Sequence, residues 1–267
     1  MHQIRAILSG KARRITPLAI FFIAGAAIPA MLSASALDGN LSLSSHGTET
    51  IAVNDSMIDF DFSGTASTGF PPIVTSGTVD GSGDNGLFDI TNASTGSFNS
   101  LASTTTTVHD LDASDEPVGT TTGIDLPLTN FITFTAEPDW NITLTELLPG
   151  DNAPCTATAC TPANSPFNLI NESGGQVLVG FSFLGTETDG SGDVSNVAGT
   201  FSTTFSNTTY QQILADLNAG DAIVSSATAT IGVTPVTAAP EPASIYLLLR
   251  GTVLLTGSAA YRRRQRR

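Results

Sequence analysis

Between Ile15 and Leu249 the chain contains no lysine and no arginine. That absence removes whole classes of function. Guanidinium forks and ammonium groups are what grip phosphate, sulfate and uronate. Nucleic acid is excluded as a partner on the same grounds, since cation–phosphate contacts dominate its affinity. The stretch also cannot form internal salt bridges from lysine or arginine. Apolar burial, strand ladders and bound cations are left to hold a fold.

Other reactive chemistry is sparse too. The only cysteines are Cys155 and Cys160, in a loop punctuated by Pro149, Pro154, Pro162 and Pro166. In an exported protein such a pair is expected to form a local disulfide, closing a small loop at the low end of the usual stabilisation. Two thiols with no histidine beside them are too few for a metal centre. His46 and His109 are the only histidines of the central region, and no G-x-S-x-G nucleophile elbow accompanies them. They read as surface or loop residues. The sequence assigns no catalytic residue, no cofactor and no metal ligand.

What is present is sorted by position. All 24 acidic residues lie between Asp38 and Glu241, while the 10 basic ones occupy the two ends. Arg5, Lys11, Arg13 and Arg14 stand in front; Arg250, Arg262, Arg263, Arg264, Arg266 and Arg267 stand behind. The net charge of −14 therefore averages an acidic middle with two cationic ends, and each basic cluster abuts an apolar run.

The front reads as a secretory signal spanning residues 1–36. A basic region runs to Arg14, an apolar stretch follows from Pro17 to Leu32, and Ala34-Ser35-Ala36 supplies an A-x-A site with cleavage expected after Ala36. The apolar run is short for a permanent span and contains Pro29. Ile15-Thr16-Pro17 after the arginine pair favours general secretion over twin-arginine export.

The rear, residues 238–267, has three parts in order: the triplet Pro240-Glu241-Pro242, an apolar stretch from Ile245 to Ala260, and the arginine-rich end after Tyr261. The prolines keep a helix from starting earlier. A helix over Ala243 to Tyr261 would be about 28 Å long, enough for a bilayer core, with the arginines on the cytoplasmic side. This arrangement resembles the PEP-CTERM sorting signal of Gram-negative bacteria. The resemblance implies recognition by an exosortase-type membrane protease, transient anchoring in the inner membrane, and a final place at the cell surface or in an exopolysaccharide matrix. Arg250 departs from the pattern by sitting inside the apolar segment. It costs roughly 2.5–3.5 kcal/mol on insertion, less when the side chain snorkels, which suits a transient anchor.

The middle, residues 37–237, is about 200 residues long and suits one domain. Threonine and valine favour strands. Ile58, Phe60 and Phe62 alternate with Asp59 and Asp61, the period of a half-buried strand. Strands are expected at 131–134 and 140–144 with a turn between them. The clearest hairpin joins 176–188 to 197–205 through Asp189-Gly190-Ser191-Gly192-Asp193. One helix is expected around Tyr210, Ile213, Leu214 and Leu217, capped by Asn207 or Thr208 and ended by Gly220. A final strand is expected over 221–233. The expected fold is all-β, a β-sandwich or jelly-roll-like body with one short helix, flanked by a signal helix and a C-terminal transmembrane helix.

Three candidate sites stand out. The string Asp-Gly-Ser-Gly-Asp occurs at 80–84 and at 189–193, and its flexible oxygen-rich loops invite calcium through Asp80/Asp84 and Asp189/Asp193. Neither copy continues as an EF-hand, and acidic turns are the simpler reading. The densest carboxylates are Asp59/Asp61 and Asp110/Asp112/Asp115/Glu116. They permit a carboxylate-dependent glycoside hydrolase only if the fold sets a defined pair; otherwise they are solvated acids. Trp140 and Tyr210 could stack on a neutral sugar, though core positions account for them as well. The reading adopted is a non-enzymatic exported surface or matrix protein, structural or adhesive, with neutral-carbohydrate binding as the first alternative and the hydrolase as the second.

Overall fold

Alternating large apolar and small residues over 176–206 build the longest hairpin of the molecule, and that hairpin dictates the architecture. The computed structural model describes residues 36–236, apart from 55–56, 81–84, 113–123 and 164. Within them the chain forms β1 (Gly39–Ser45), β2 (Thr50–Val53), β3 (Ile58–Phe62), β4 (Thr65–Ala66), β5 (Val74–Ser76), β6 (Asn85–Ile90), β7 (Thr105–His109) and β8 (Ile124–Phe134). It continues with β9 (Asn141–Leu147), β10 (Ala159–Cys160), β11 (Asn168–Glu172), β12 (Gln176–Thr188) and β13 (Val194–Ser206). Helix α1 (Tyr210–Asn218), β14 (Ile223–Ser225) and β15 (Thr228–Pro235) complete it.

β12 pairs with β13 along its whole length, from Gln176 opposite Ser206 to Thr188 opposite Val194. The ladder then runs through β15, β1, β6, β7, β8 and β9. There it returns on itself, because β9 pairs with the second half of β12, Leu147 opposite Phe183 and Asn141 opposite Thr188. Eight antiparallel strands thus close into a barrel. This corrects the expected sandwich or jelly roll. The physical reason lies in β12, whose 13 residues serve two partners along one edge. β11 takes Gln176 to Gly180, and β9 takes the part beyond, with a register shift between Leu184 and Gly185. Closure pairs the edges that two facing sheets would leave open.

The barrel is filled with rings. Phe201 lies at the centre of a cluster, with ring centroids 5.3 Å from Phe60, 6.0 Å from Phe88, 6.1 Å from Phe131, 5.4 Å from Phe181 and 5.8 Å from Phe183. An eight-strand barrel is just wide enough for side chains to fill. Gly199 makes room for one of them: a Cβ there would stand 2.4 Å from the Phe183 ring it faces across the hairpin.

Both rims are covered. At the rim where β1 begins, the 3₁₀ turn Gly96–Leu101 is tied down by Ser97 N–H donating to Asp38 O at 2.8 Å. It places the buried Phe98 against Phe134 and Trp140, each at 5.9 Å. At the opposite rim β3 lies across the barrel mouth with Phe60 pointing into the ring cluster. β3 belongs to a separate three-stranded sheet, β14-β2-β3.

Several local expectations change in detail. The helix spans Tyr210–Asn218, and its N-cap is Thr209, whose side chain accepts from Gln212 N–H, rather than Asn207 or Thr208. Gly220 follows the helix at φ +86°, a left-handed position that suits glycine. The expected last strand is two: β14 pairs with β2, and β15 returns to the barrel between β1 and β13. Ile213 and Tyr210 bury α1 against Val177, Phe205, Leu169 and Ile223 in a second apolar cluster. Cys155 and Cys160 are bonded to each other in the loop beside it.

No helix among the described residues is long and apolar enough to cross a membrane. The signal segment, the Pro240-Glu241-Pro242 triplet and the apolar tail expected to form a transmembrane helix lie outside the described residues.

Candidate functional site

The chain brings three carboxylates together at the β3 rim. β7 ends at His109, and the next residues run antiparallel to β3. Ile58 N–H donates to Leu111 O at 2.8 Å and Leu111 N–H returns to Ile58 O at 3.0 Å. That clamp sets Asp110 beside Asp59 and Asp61, and one ligand oxygen from each lies within 4.8 Å of the others.

Asp59 is 3 % exposed and Asp110 is fully buried. The expected solvated face of β3 is therefore wrong on one side. The residues alternate as read, but Asp110 and the Asp80 amide approach on the aspartate side, while Phe88 and Phe201 pack on Phe60. Asp59 Oδ1 accepts from Asp61 N–H at 3.1 Å, and Asp59 Oδ2 accepts from Asp80 N–H at 3.2 Å. Asp110 Oδ1 accepts from Phe60 N–H at 2.6 Å. Asp110 Oδ2 is buried with no hydrogen-bond partner.

Burial governs the ionisation here. Desolvation pushes Asp110 up to about 8, against the Phe60 amide that favours its anion, with Asp61, Asp59 and Asp80 adding repulsion. Desolvation likewise raises Asp59 to about 7, opposed by the Asp80 amide and reinforced by Asp61. The donor set is all oxygen and hard, with no imidazole or thiolate among the three.

The other candidates are placed elsewhere. Asp112 lies just beyond the trio along the chain, while Asp115 and Glu116 lie outside the described residues. The second Asp-Gly-Ser-Gly-Asp string is a surface turn in which Asp189 Oδ1 accepts from the Ser191 amide at 2.9 Å and the Ser191 hydroxyl at 2.6 Å. The first string contributes Asp80, and its residues 81–84 lie outside the described residues. His109 Nδ1 donates to the backbone carbonyl of Asp110 at 2.6 Å. His46 Nδ1 meets Asp89 Oδ1 at 2.7 Å on the surface, which raises the imidazole pKa.

Trp140 packs on Phe98 and Phe134, and Tyr210 is 5 % exposed with its hydroxyl donating to Thr156 O. Tyr210 is therefore a core residue, while Trp140 stays half-buried. A cavity of about 420 Å³ opens between α1, β3 and the barrel wall, lined by groups such as Phe60, Phe167, Phe181, Ile213 and Leu214. No charged or imidazole group lines it.

Sequence reasoning missed Glu187. Its side chain is fully buried and both carboxylate oxygens lack a hydrogen-bond partner. Desolvation, with the charge of Asp189 behind it, pushes it up to about 8. The signal was present: Val177, Val179, Phe181 and Phe183 share a face, and the same period carries that face to Glu187.

The chain matches no protein-family model, no curated protein and no solved structure.

Proposed function

We propose that this chain is an exported surface or matrix protein whose β-barrel body has a structural or adhesive role, sorted through a PEP-CTERM/exosortase-type pathway. The observation that carries the reading is the order of parts in the sequence: a secretory-type front, the Pro240-Glu241-Pro242 triplet, an apolar segment and an arginine block. Its partners are then an exosortase-type membrane protease, the bacterial inner membrane during transit, and an exopolysaccharide matrix at the destination.

The body's chemistry agrees with a non-catalytic part. The apolar cavity has no acid, base or nucleophile beyond serine and threonine hydroxyls in its wall. One oxygen of each clustered aspartate lies within 4.8 Å of the others, short of the roughly 6.5–9.5 Å that separates an inverting pair. A body without lysine or arginine is also suited to remain unbound among anionic polymers until cations bridge them.

The test is to replace Pro240 and Pro242 with alanine and follow tail processing in a host that encodes an exosortase. Accumulation of the unprocessed chain in the inner membrane is expected. Processing at the wild-type rate would sink the reading.

A further inference from the structure

We propose that Asp59, Asp61 and Asp110 form a calcium site that pins β3 across the barrel mouth. Three observations carry it. One oxygen from each carboxylate already lies within 4.8 Å of the others. Among the described residues there is no lysine or arginine to neutralise it. Asp110, one of the three, has its Oδ2 buried without a hydrogen-bond partner and no solvent exposure of its own.

The convergence of three carboxylates favours a cation over a bare proton. A proton on Asp110 would remove one of three charges and leave its O–H without an acceptor at Oδ2, with two neighbouring carboxylates still to be neutralised. A metal ion satisfies that oxygen without requiring a further acceptor. The remaining oxygens keep their amide donors from Phe60, Asp61 and Asp80, because a carboxylate oxygen has lone pairs for both an amide and a metal. Those amides act as an outer shell that fixes the ligands' orientation.

The ion is assigned from the donors and the dryness. An oxygen-only, carboxylate-rich set takes hard cations rather than zinc or copper. Magnesium dehydrates reluctantly and keeps several waters, whereas calcium accepts irregular oxygen cages. Two of the three ligands here are almost wholly removed from solvent. The site joins β3 to the segment after β7, across a long sequence separation, so occupancy would stiffen the plug over Phe60 and Phe201.

The experiment uses the full-length chain in detergent. Calcium, magnesium and sodium chloride are titrated at matched ionic strength, with bound calcium counted by equilibrium dialysis and the thermal midpoint recorded. Wild type is expected to take up one saturable equivalent of calcium, with a midpoint rise that neither magnesium nor sodium reproduces. Asp110→Asn is expected to weaken that equivalent by at least about tenfold. Asp61→Asn, at the more exposed edge of the site, provides the same readout should Asp110→Asn fail to fold. Asp189→Asn in the surface turn is expected to bind as wild type does. The proposal is overturned if calcium and sodium give equal midpoints, or if Asp61→Asn and wild type bind the saturable equivalent alike.

Discussion

Glu187 and Ser195 face each other across the β12–β13 hairpin, both with no solvent exposure, yet the Ser195 hydroxyl donates to Leu37 O at 2.7 Å and leaves the glutamate without a partner. A buried carboxyl in that position is most compatible with the fold when it carries its proton.

The pH consequence follows from that burial. Unfolded, Glu187 ionises near its ordinary value of 4.5; folded, burial pushes it up to about 8. The unfolded state therefore releases its proton first, and stability falls as pH rises between these values, then levels off. In the calcium-free protein Asp59 and Asp110 act in the same direction. Glu187→Gln should raise the midpoint at pH 8 relative to wild type, by an effect on the order of a few kcal/mol, and leave it nearly unchanged at pH 4. Thermal melts across that range check this; parallel curves for the two proteins would refute it.

Phe201 touches five other rings, so its loss should leave a cavity the barrel cannot collapse around. Phe201→Ala is expected to destabilise the chain by about 3–5 kcal/mol, measured by urea unfolding. Val194→Ala, at an exposed position, should cost under about 0.5 kcal/mol.

Gly86 is the close contact between barrel and plug. A Cβ there would stand 2.3 Å from Phe60 O. Gly86→Ala should push β3 outward and lengthen the Asp110–Phe60 hydrogen bond. Amide exchange at Phe60 should then accelerate by at least about tenfold, while exchange in β12 and β13 stays near wild type.

The His46–Asp89 pair is exposed and screened, so its effect is on titration rather than on stability. Asp89→Asn should lower the His46 pKa toward the ordinary imidazole value of 6.5, read from the imidazole proton shifts by NMR. An unmoved titration curve would show that Asp89 is not its partner in solution.

Much of the local structure was readable because it is periodic. The Phe181/Phe183 and Phe201/Phe205 alternation announces its hairpin, and Tyr210, Ile213, Leu214 and Leu217 announce the helix. What periodicity cannot state is which distant edges meet. Leu147 opposite Phe183 turns an open sheet into a barrel, and Ile58 opposite Leu111 brings two acidic runs together in one trio with two buried members. Each contact spans dozens of residues and depends on shape, not on local pattern. Asp59 and Asp110 were both visible as acids; their meeting was not.

Gly39 sits opposite Val233, and along β1 the ladder proceeds to Ser44 opposite Thr228, then to Ser45 opposite Phe88. The chain thus enters and leaves the barrel at one rim, while β3 and the aspartates occupy the other. The body has a polarity. On the C-terminal anchoring proposed above, the Glu187 rim would face the attachment and the Asp110 rim would face away from it.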